Sequence, residues 1–213
     1  MINMKDFWEQ AHKEQNLLSL TGCTGEQELH CVNLHEKVFR GAKALVIGVG
    51  VGTCCKDLKQ KYNCEVDALD ISETGLKAVE SYTNNTFLPM DLLPENKYDI
   101  ILSNHVSQHM TQEDFIIQTK KVINSLKSSG VYGLQFITNK DPTLNNIYTK
   151  NQCDKLKDNK LTGGAVTRSP DYIIKLVGLL GGKASQSGPS LQTIVPNLIC
   201  NIVHITKQEL GGD

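Results

Sequence analysis

The sequence has few arginines and no long apolar run. Only Arg40 and Arg168 are arginines among 22 basic residues, so forked guanidinium contacts to anions are scarce. The 22 basic residues face 23 acidic ones, and the formal net charge of -1 argues against a nucleic-acid binder that depends on bulk positive charge. No stretch approaches the roughly 20 apolar residues of a membrane span, and the charged N-terminus lacks the apolar stretch of a signal peptide. We therefore expect a cytoplasmic protein without a membrane span or a nucleic-acid partner.

The cysteine and histidine spacings do not predict a metal centre. None of the seven cysteines forms a CxxC pair, the spacing of zinc knuckles and thioredoxin-type sites. An odd number of cysteines in a cytoplasmic setting favours reduced, mostly buried thiols over a disulfide framework. His105 and His109 would share one face of a helix, but no third ligand is spaced near them, so we expect no metal.

The length of 213 residues fits a single domain, 1–213. Residues 1–40 indicate a helical cap, with a second helix from Glu26 to Phe39. Residues 43–137 alternate between short apolar strands and helices, which is typical of a doubly wound α/β sheet with helices on both faces. The predicted strands are 44–47, 65–69, 87–88, 98–103, 131–137, 183–187 and 198–206, the last two as a hairpin. The predicted helices are 52–61, 72–81 with Ser72 as N-cap, 111–126 with Thr111 as cap, and 170–180.

Residues 139–168 differ from the rest in composition. They are rich in Asn, Lys and Asp, contain few apolar residues and carry an excess of three positive charges. A structureless stretch of ~15 residues or more inside a domain is usually functional or mobile. Two interpretations stay open, a solvated loop and an insert that favours an anionic substrate. Residues 170–208 then complete the domain with a helix and two strands.

The strongest functional signal is the glycine-rich turn after the first strand. Gly48, Gly50 and Gly52 follow four apolar residues and precede a helix, so a ligand can approach the main chain and the helix N-terminus. The spacing GxGxG is followed by no GK[ST], which excludes a P-loop. Asp70 ends the second strand about 20 residues later, the distance expected of a ribose-binding carboxylate.

Polar residues also follow the third and fourth strands. Asp91 lies just beyond the third strand, as an adenine contact or as an ordinary turn carboxylate, and 103–109 is an unusually polar stretch after the fourth. Ligands of open α/β sheets bind outside the carboxyl ends of the strands, so these four strand ends converge on one crevice.

In the order of these motifs, residues 43–137 resemble the class I S-adenosylmethionine-dependent methyltransferases. The resembling segments are 45–52, 68–72, 90–92, 97–104, 106–109 and 126–130. The resemblance implies a seven-stranded, mostly parallel sheet with an antiparallel last strand, and S-adenosylmethionine as cofactor. It implies cofactor contacts from Gly48, Gly50, Gly52, Asp70, Ile71, Met90, Asp91, Leu92, Ser103 and Asn104. One departure is Val46, where the family usually has an acidic residue that supports the glycine loop or the methionine end of the cofactor.

The resemblance also frames the chemistry of the rest of the chain. The helical cap, with Trp8 and His12, resembles small stand-alone bacterial members, some of them associated with surface-polysaccharide synthesis. Trp8 is either a lid over the cofactor or a core residue. His105 or His109 would act as the base that removes a proton from the acceptor, against the alternative that His109 is a packed residue.

We therefore predict a methyltransferase for a small-molecule or surface-glycan acceptor. Oxygen is favoured because the Asn/Asp-Pro-Pro-aromatic motif of enzymes that methylate exocyclic amines is absent, and Ser103, Asn104, His105 and Val106 stand in its place. In this frame 139–168 is an acceptor-side insert. Two alternatives remain. The first is a nicotinamide-dependent oxidoreductase, and the second is a non-catalytic binding module with the same fold.

Overall fold

The computed structural model describes residues 4–14, 29–30, 32–145, 166–189 and 198–208. The strands are β1 (Lys43–Ile47), β2 (Glu65–Leu69), β3 (Asn85–Phe87), β4 (Tyr98–Ser103), β5 (Leu126–Asn139), β6 (Gly182–Pro189) and β7 (Leu198–Lys207). The helices are α1 (Met4–Lys13), α2 (Thr53–Gln60), α3 (Glu73–Val79), α4 (Gln112–Ser125) and α5 (Pro170–Leu179). Short 3-10 turns cover His35–Lys37, Glu80–Tyr82, Ser107–His109 and Pro142–Leu144. In these ranges we find no helix that combines the length and the apolar character needed to cross a membrane.

The described strands form one seven-stranded sheet in the order β3-β2-β1-β4-β5-β7-β6. The first five strands in the chain pair in parallel, whereas β7 is antiparallel to both β5 and β6. This arrangement confirms the predicted fold class and the predicted hairpin at the end of the chain. It also places the carboxyl ends of β1, β2 and β4 side by side.

Both faces of the sheet are covered, and this is why its central strands read as continuous apolar runs. In β1, Ala44 and Val46 face the layer that contains α2 and α3, whereas Leu45 and Ile47 face the layer that contains α4 and α5. The predicted caps of α3 and α4 are present. The Ser72 side chain accepts a hydrogen bond from Gly75 N, and the Thr111 side chain accepts one from Asp114 N.

The predicted helix from Glu26 to Phe39 is wrong from residue 32 onward, and residues 26–28 and 31 of it lie outside the described residues. The chain is helical at 29–30 but turns at Asn33, whose φ is +52°, and a short 3-10 turn follows. Leu34 N donates to Leu29 O (3.0 Å) and Asn33 N donates to His30 O (3.0 Å). This pair of bonds is the Schellman motif, in which asparagine can replace glycine at the left-handed position.

Several boundaries also differ from the prediction, most of them by one or two residues. Strand β5 begins at Leu126 rather than at 131, because Leu126 already pairs with Tyr98 before a shift in register. Strand β3 ends at Phe87 and therefore lies slightly earlier than 87–88. Most of the predicted insert, residues 146–165, lies outside the described residues.

Candidate active site

A cavity of about 650 Å³ opens at the carboxyl ends of β1, β2 and β4. Nine of the predicted site residues line it, namely Gly48, Gly50, Asp70, Ile71, Met90, Asp91, Asn104, His105 and His109. One wall comes from α1, through Met4, Lys5, Trp8 and His12. Another comes from α4 and the chain before it, through Met110, Thr111, Asp114, Ile117, Gln118 and Lys121. The lining is mostly apolar with a few polar groups, as is usual for small-molecule sites.

The glycine loop closes the inner end of the cavity. Gly48 and Gly50 have φ values of +79° and +51°, a region that costs other residues strain. A Cβ on Gly48 would lie 2.2 Å from Val106 Cγ2, so only glycine lets the segment after β4 pack so closely. The Cβ position of Gly50 has no neighbouring atom within 4 Å. The main chain at Gly50 is therefore open to a ligand.

Asp70 holds this loop in place. Its carboxylate accepts hydrogen bonds from Val49 N (2.7 Å) and Ser72 N (2.8 Å), and only 7% of the residue is exposed. Burial raises the pKa of Asp70, and the hydrogen bond from Ser72, nearby His12 and the bond from Val49 oppose that rise. A carboxylate has about four acceptor positions, so these bonds leave acceptor capacity for a ligand. Val46, at the position that is usually acidic, is fully buried in the apolar core, so in this chain Asp70 supplies the carboxylate that anchors the loop.

The loop after β3 forms the outer rim of the cavity. Asp91 is exposed and accepts a hydrogen bond from Leu88 N (2.7 Å), which closes a turn. Lys121 Nζ fastens the same turn to α4 by donating to Pro89 O (2.8 Å). Met90 is 87% exposed at this rim. Asp91 is thus both a turn carboxylate and a lining residue.

Three predicted cofactor contacts do not line the cavity. Gly52 faces α3, where an added Cβ would lie 2.6 Å from Val79 Cγ1. Ser103 is buried at the end of β4 and shares a side-chain hydrogen bond with Tyr132. Leu92 is 87% exposed beyond the rim. A motif in the sequence shows that such residues are near a site, but not which way each side chain points.

The histidine turn, residues 104–111, carries both predicted catalytic side chains. His105 has a φ of +56°, and its backbone N–H donates to the side-chain Oε1 of Gln135 at 2.6 Å. Ser107 Oγ donates to Gln135 O at 3.0 Å. The ring of His109 packs edge-on against Trp8, with ring centroids 5.0 Å apart. Both histidines therefore lie at the cavity, and Trp8 is part of its wall.

Arg168 holds the far side of the histidine turn. It is fully buried, its guanidinium donates to Ser107 O (2.7 Å) and Met110 O (3.1 Å), and it stacks on the Phe115 ring. Burial lowers the pKa of Arg168 to about 10. The sequence placed this residue in the charged 139–168 region that could face an anionic substrate. The structure corrects that expectation, because the guanidinium is directed at backbone carbonyls.

Helix α1 is attached to the glycine-loop side of the cavity by polar contacts. Glu9 accepts hydrogen bonds from the hydroxyls of Thr74 and Ser72, and these bonds lower the pKa of Glu9 to about 2. His12 Nε2 lies 3.2 Å from Gly50 O, and His12 Nδ1 lies 2.8 Å from Trp8 O. The helix is therefore fixed both to α3 and to the glycine loop.

Two features of this site were not predicted from the sequence: the presence of Gln135 and the role of Arg168. A polar residue at a strand position predicted to be buried was the available signal for Gln135. The signal for Arg168 was weaker, because nothing in the sequence says which arginine of a polar region is buried.

The sheet and the site together define the class I fold of the S-adenosylmethionine-dependent methyltransferases. The sheet typical of dinucleotide-binding oxidoreductases has the order 3-2-1-4-5-6, whereas here antiparallel β7 lies between β5 and β6. Residues 44–130 match the family model described as a methyltransferase domain. This part of the chain therefore matches a methyltransferase domain, and S-adenosylmethionine is the cofactor used by the class whose fold the chain has.

The similar proteins are methyltransferases whose names give different substrates. The chain is 25% identical over 151 residues to alpha N-terminal protein methyltransferase 1 of Caenorhabditis elegans, a match that covers 59% of this chain and 61% of that protein. The structure resembles phosphoethanolamine N-methyltransferase 2 of Haemonchus contortus (TM-score 0.71, 11% identity, 98% of this chain and 61% of that one). It also resembles 1,6-didemethyltoxoflavin-N1-methyltransferase of Burkholderia thailandensis (TM-score 0.68, 14% identity, 97% of this chain and 87% of that one). At these identities the two solved structures establish the fold alone.

Proposed function

We propose that this chain methylates a small acceptor whose nucleophilic atom carries a proton. The observation that carries the proposal is that the glycine loop, Asp70 and both histidines of the histidine turn line one cavity. S-adenosylmethionine, when bound, supplies a methyl group on a positively charged sulfur, which is an electrophile.

The cofactor side of the cavity fits such a molecule. We assign Asp70 to the ribose hydroxyls, because its carboxylate lines the cavity with acceptor capacity to spare. The open main chain at Gly50 suits the close approach of the amino-acid end. Asp91 and Met90 at the rim, together with Ile71, which also lines the cavity, are assigned to the adenosine.

The acceptor side supplies orientation and a base. Methyl transfer by in-line displacement depends mainly on alignment of the acceptor and exclusion of water. Trp8, packed against His109, closes this side of the cavity. Histidine is the side chain whose ordinary pKa is nearest to neutrality, so a histidine at the acceptor is suited to take its proton.

The acceptor atom has two candidates. The absence of the Asn/Asp-Pro-Pro-aromatic motif favours oxygen, as the sequence predicts. A nitrogen acceptor is the second candidate, because the relatives named above are N-terminal, phosphoethanolamine N- and N1-methyltransferases by name. We further propose that 1–213 acts as one domain and that 139–168 covers the acceptor. An anionic or surface-glycan acceptor and a cytoplasmic location remain predictions from the sequence.

Calorimetric titration tests the cofactor. We expect S-adenosylmethionine and its demethylated product, S-adenosylhomocysteine, to bind, and NAD and NADP not to bind. Asp70→Ala should lower the affinity more than about tenfold, since a hydrogen bond to a charged group contributes about 1.5–3 kcal/mol. Glu95→Ala, which removes an exposed carboxylate outside the cavity, is the matched control.

Transfer of a labelled methyl group to panels of hydroxyl and amine compounds then tests catalysis. Product with a hydroxyl panel member supports the oxygen assignment, and product only with amines replaces it with nitrogen. Binding of a nicotinamide nucleotide instead of S-adenosylmethionine would overturn the proposal. Failure to bind any of the four molecules would support the non-catalytic module.

A further inference from the structure

Gln135 is a fully buried polar side chain in a central strand, β5. Burial of an amide is costly unless its polar atoms are hydrogen-bonded. The partner of this amide is the histidine turn, since Oε1 accepts the backbone N–H of His105 at 2.6 Å. The Gln135 side chain therefore faces a residue of the proposed active site rather than another strand.

This bond fixes the orientation of the amide. An N–H donor requires an oxygen acceptor, so the end of the amide near His105 N is Oε1, and the other end is the –NH₂ group. That group lies 3.5 Å from Nε2 of the His105 ring. An amide –NH₂ has hydrogens and no lone pair to offer, so the ring nitrogen that faces it is the one without a proton.

We propose that Gln135 is a positioning residue that holds neutral His105 with its proton on Nδ1, as a hydrogen-bond donor. The catalytic part of this inference rests on the proposed function. In a ring held in this way Nε2 faces the amide of Gln135, so His105 is not the group that takes the proton of the acceptor. His109 is then the base of the histidine turn.

The backbone supports the same assignment. His105 has a φ of +56°, a left-handed conformation that is costly for a non-glycine residue and persists where the surroundings enforce it. The bond from His105 N to Gln135 enforces it from one side. The bond from Ser107 Oγ to Gln135 O fixes the following residues to the same strand position. Gln135 thus holds both the backbone and the ring of His105.

The test is the tautomer of His105 in the full chain, which requires no acceptor. The protein is labelled with ¹⁵N-histidine, and long-range ¹H–¹⁵N spectra are recorded at about pH 8, where histidines are ordinarily neutral. The signals are assigned from the spectra of His105→Asn and His204→Asn. We expect a protonated Nδ1 at His105. His204, whose Nε2 lies 2.9 Å from Val32 O, is the internal control and should show a protonated Nε2.

Two substitutions of Gln135 separate positioning from packing. Gln135→Glu replaces the donor by an acceptor and should reverse His105 to the Nε2–H tautomer. Gln135→Met keeps the length of the side chain and should remove the preference. For both variants we expect kcat to fall about 10- to 100-fold, while KM for S-adenosylmethionine and the affinity for S-adenosylhomocysteine stay as in the natural chain.

The outcomes distinguish this inference from the proposed function. A protonated Nε2 at His105 in the natural chain would overturn it even if neither variant folds. An unchanged tautomer in folded Gln135→Glu, or an unchanged kcat in both variants, would overturn it as well. If no methyl transfer is found with any acceptor, the proposed function fails, and the spectra still decide the tautomer.

Discussion

Alanine substitutions at two glycines of the same loop separate crowding from backbone strain. Gly48 and Gly50 both have positive φ, +79° and +51°, so each alanine adds about 1–2 kcal/mol of left-handed strain. Only the Cβ at Gly48 meets another atom, Val106 Cγ2 at 2.2 Å, and overpacking of this kind costs about 1–3 kcal/mol. We therefore expect a loss of about 2–5 kcal/mol for Gly48→Ala and about 1–2 kcal/mol for Gly50→Ala.

Thermal unfolding followed by circular dichroism measures the difference. For a chain of this length, 1 kcal/mol shifts Tm by about 2–4 °C, so Gly48→Ala should melt several degrees below Gly50→Ala. Adding Val106→Ala to Gly48→Ala removes the crowding methyl group and should recover about 1–3 kcal/mol in a double-mutant cycle. Equal Tm values for the two glycine variants, or no recovery with Val106→Ala, would refute the close packing of the histidine turn on the glycine loop.

Gly50→Ala should weaken ligand binding more than Gly48→Ala does, although it should destabilise the fold less. The Cβ of Gly50→Ala enters open space in the cavity, where we place the amino-acid end of the cofactor. Gly50→Ala should therefore lose affinity for S-adenosylhomocysteine out of proportion to its small loss of stability. Retention of full affinity would remove Gly50 from the cofactor contacts.

The other predictions concern the walls of the cavity. Arg168→Lys keeps the charge but replaces the forked guanidinium by a single ammonium group, so one of the two carbonyls should lose its hydrogen bond. We expect a loss of about 1–3 kcal/mol in chemical denaturation. An unchanged stability would contradict the hold of Arg168 on the histidine turn. The pKa of Glu9 is lowered, so its hydrogen bonds stabilise the attachment of α1 fully at a pH above 4.5, the ordinary pKa of a glutamate. This stabilisation is lost as the pH falls toward about 2. The fluorescence of Trp8, the single tryptophan, should follow that change, and Glu9→Gln should abolish it. Asp91→Asn keeps an acceptor for Leu88 N, so Tm should hold while the affinity for S-adenosylhomocysteine falls; unchanged affinity would restrict Asp91 to the turn.

The parts of the fold that could be predicted are those with local causes. Strands β2 and β4 have the predicted bounds, because each is a short stretch rich in buried residues that stops at a polar residue, Asp70 after β2 and Ser103 at the end of β4. The caps Ser72 and Thr111 were predictable because each side chain bonds a backbone amide three residues later. The convergence of the strand ends follows from parallel topology, and this is why most of the predicted site residues reach one cavity.

The parts that could not be predicted depend on partners distant in the chain. Gln135 and His105 are 30 residues apart, and Arg168 lies 61 residues from Ser107, whose carbonyl it binds. Neither pairing has a spacing signature. The error in the helix predicted over 26–39 has a local cause. The chain leaves the helix at Asn33, which adopts the left-handed conformation that a glycine would have indicated in the sequence.

Three buried polar side chains at the cavity end of the sheet share one property: each binds the backbone of a loop. Asp70 holds the glycine loop, Gln135 holds His105, and Arg168 holds the carbonyls of the histidine turn. Burial of these groups is costly, and their hydrogen bonds offset the cost only while the loops keep their shape. The loops are therefore preorganised by groups that lie mostly behind the cavity, and the side chains that line it are left to select the acceptor. Substitutions of lining residues such as Ile117 or Met110 should accordingly change acceptor preference with little effect on stability, whereas substitutions of the three anchors should affect every acceptor alike.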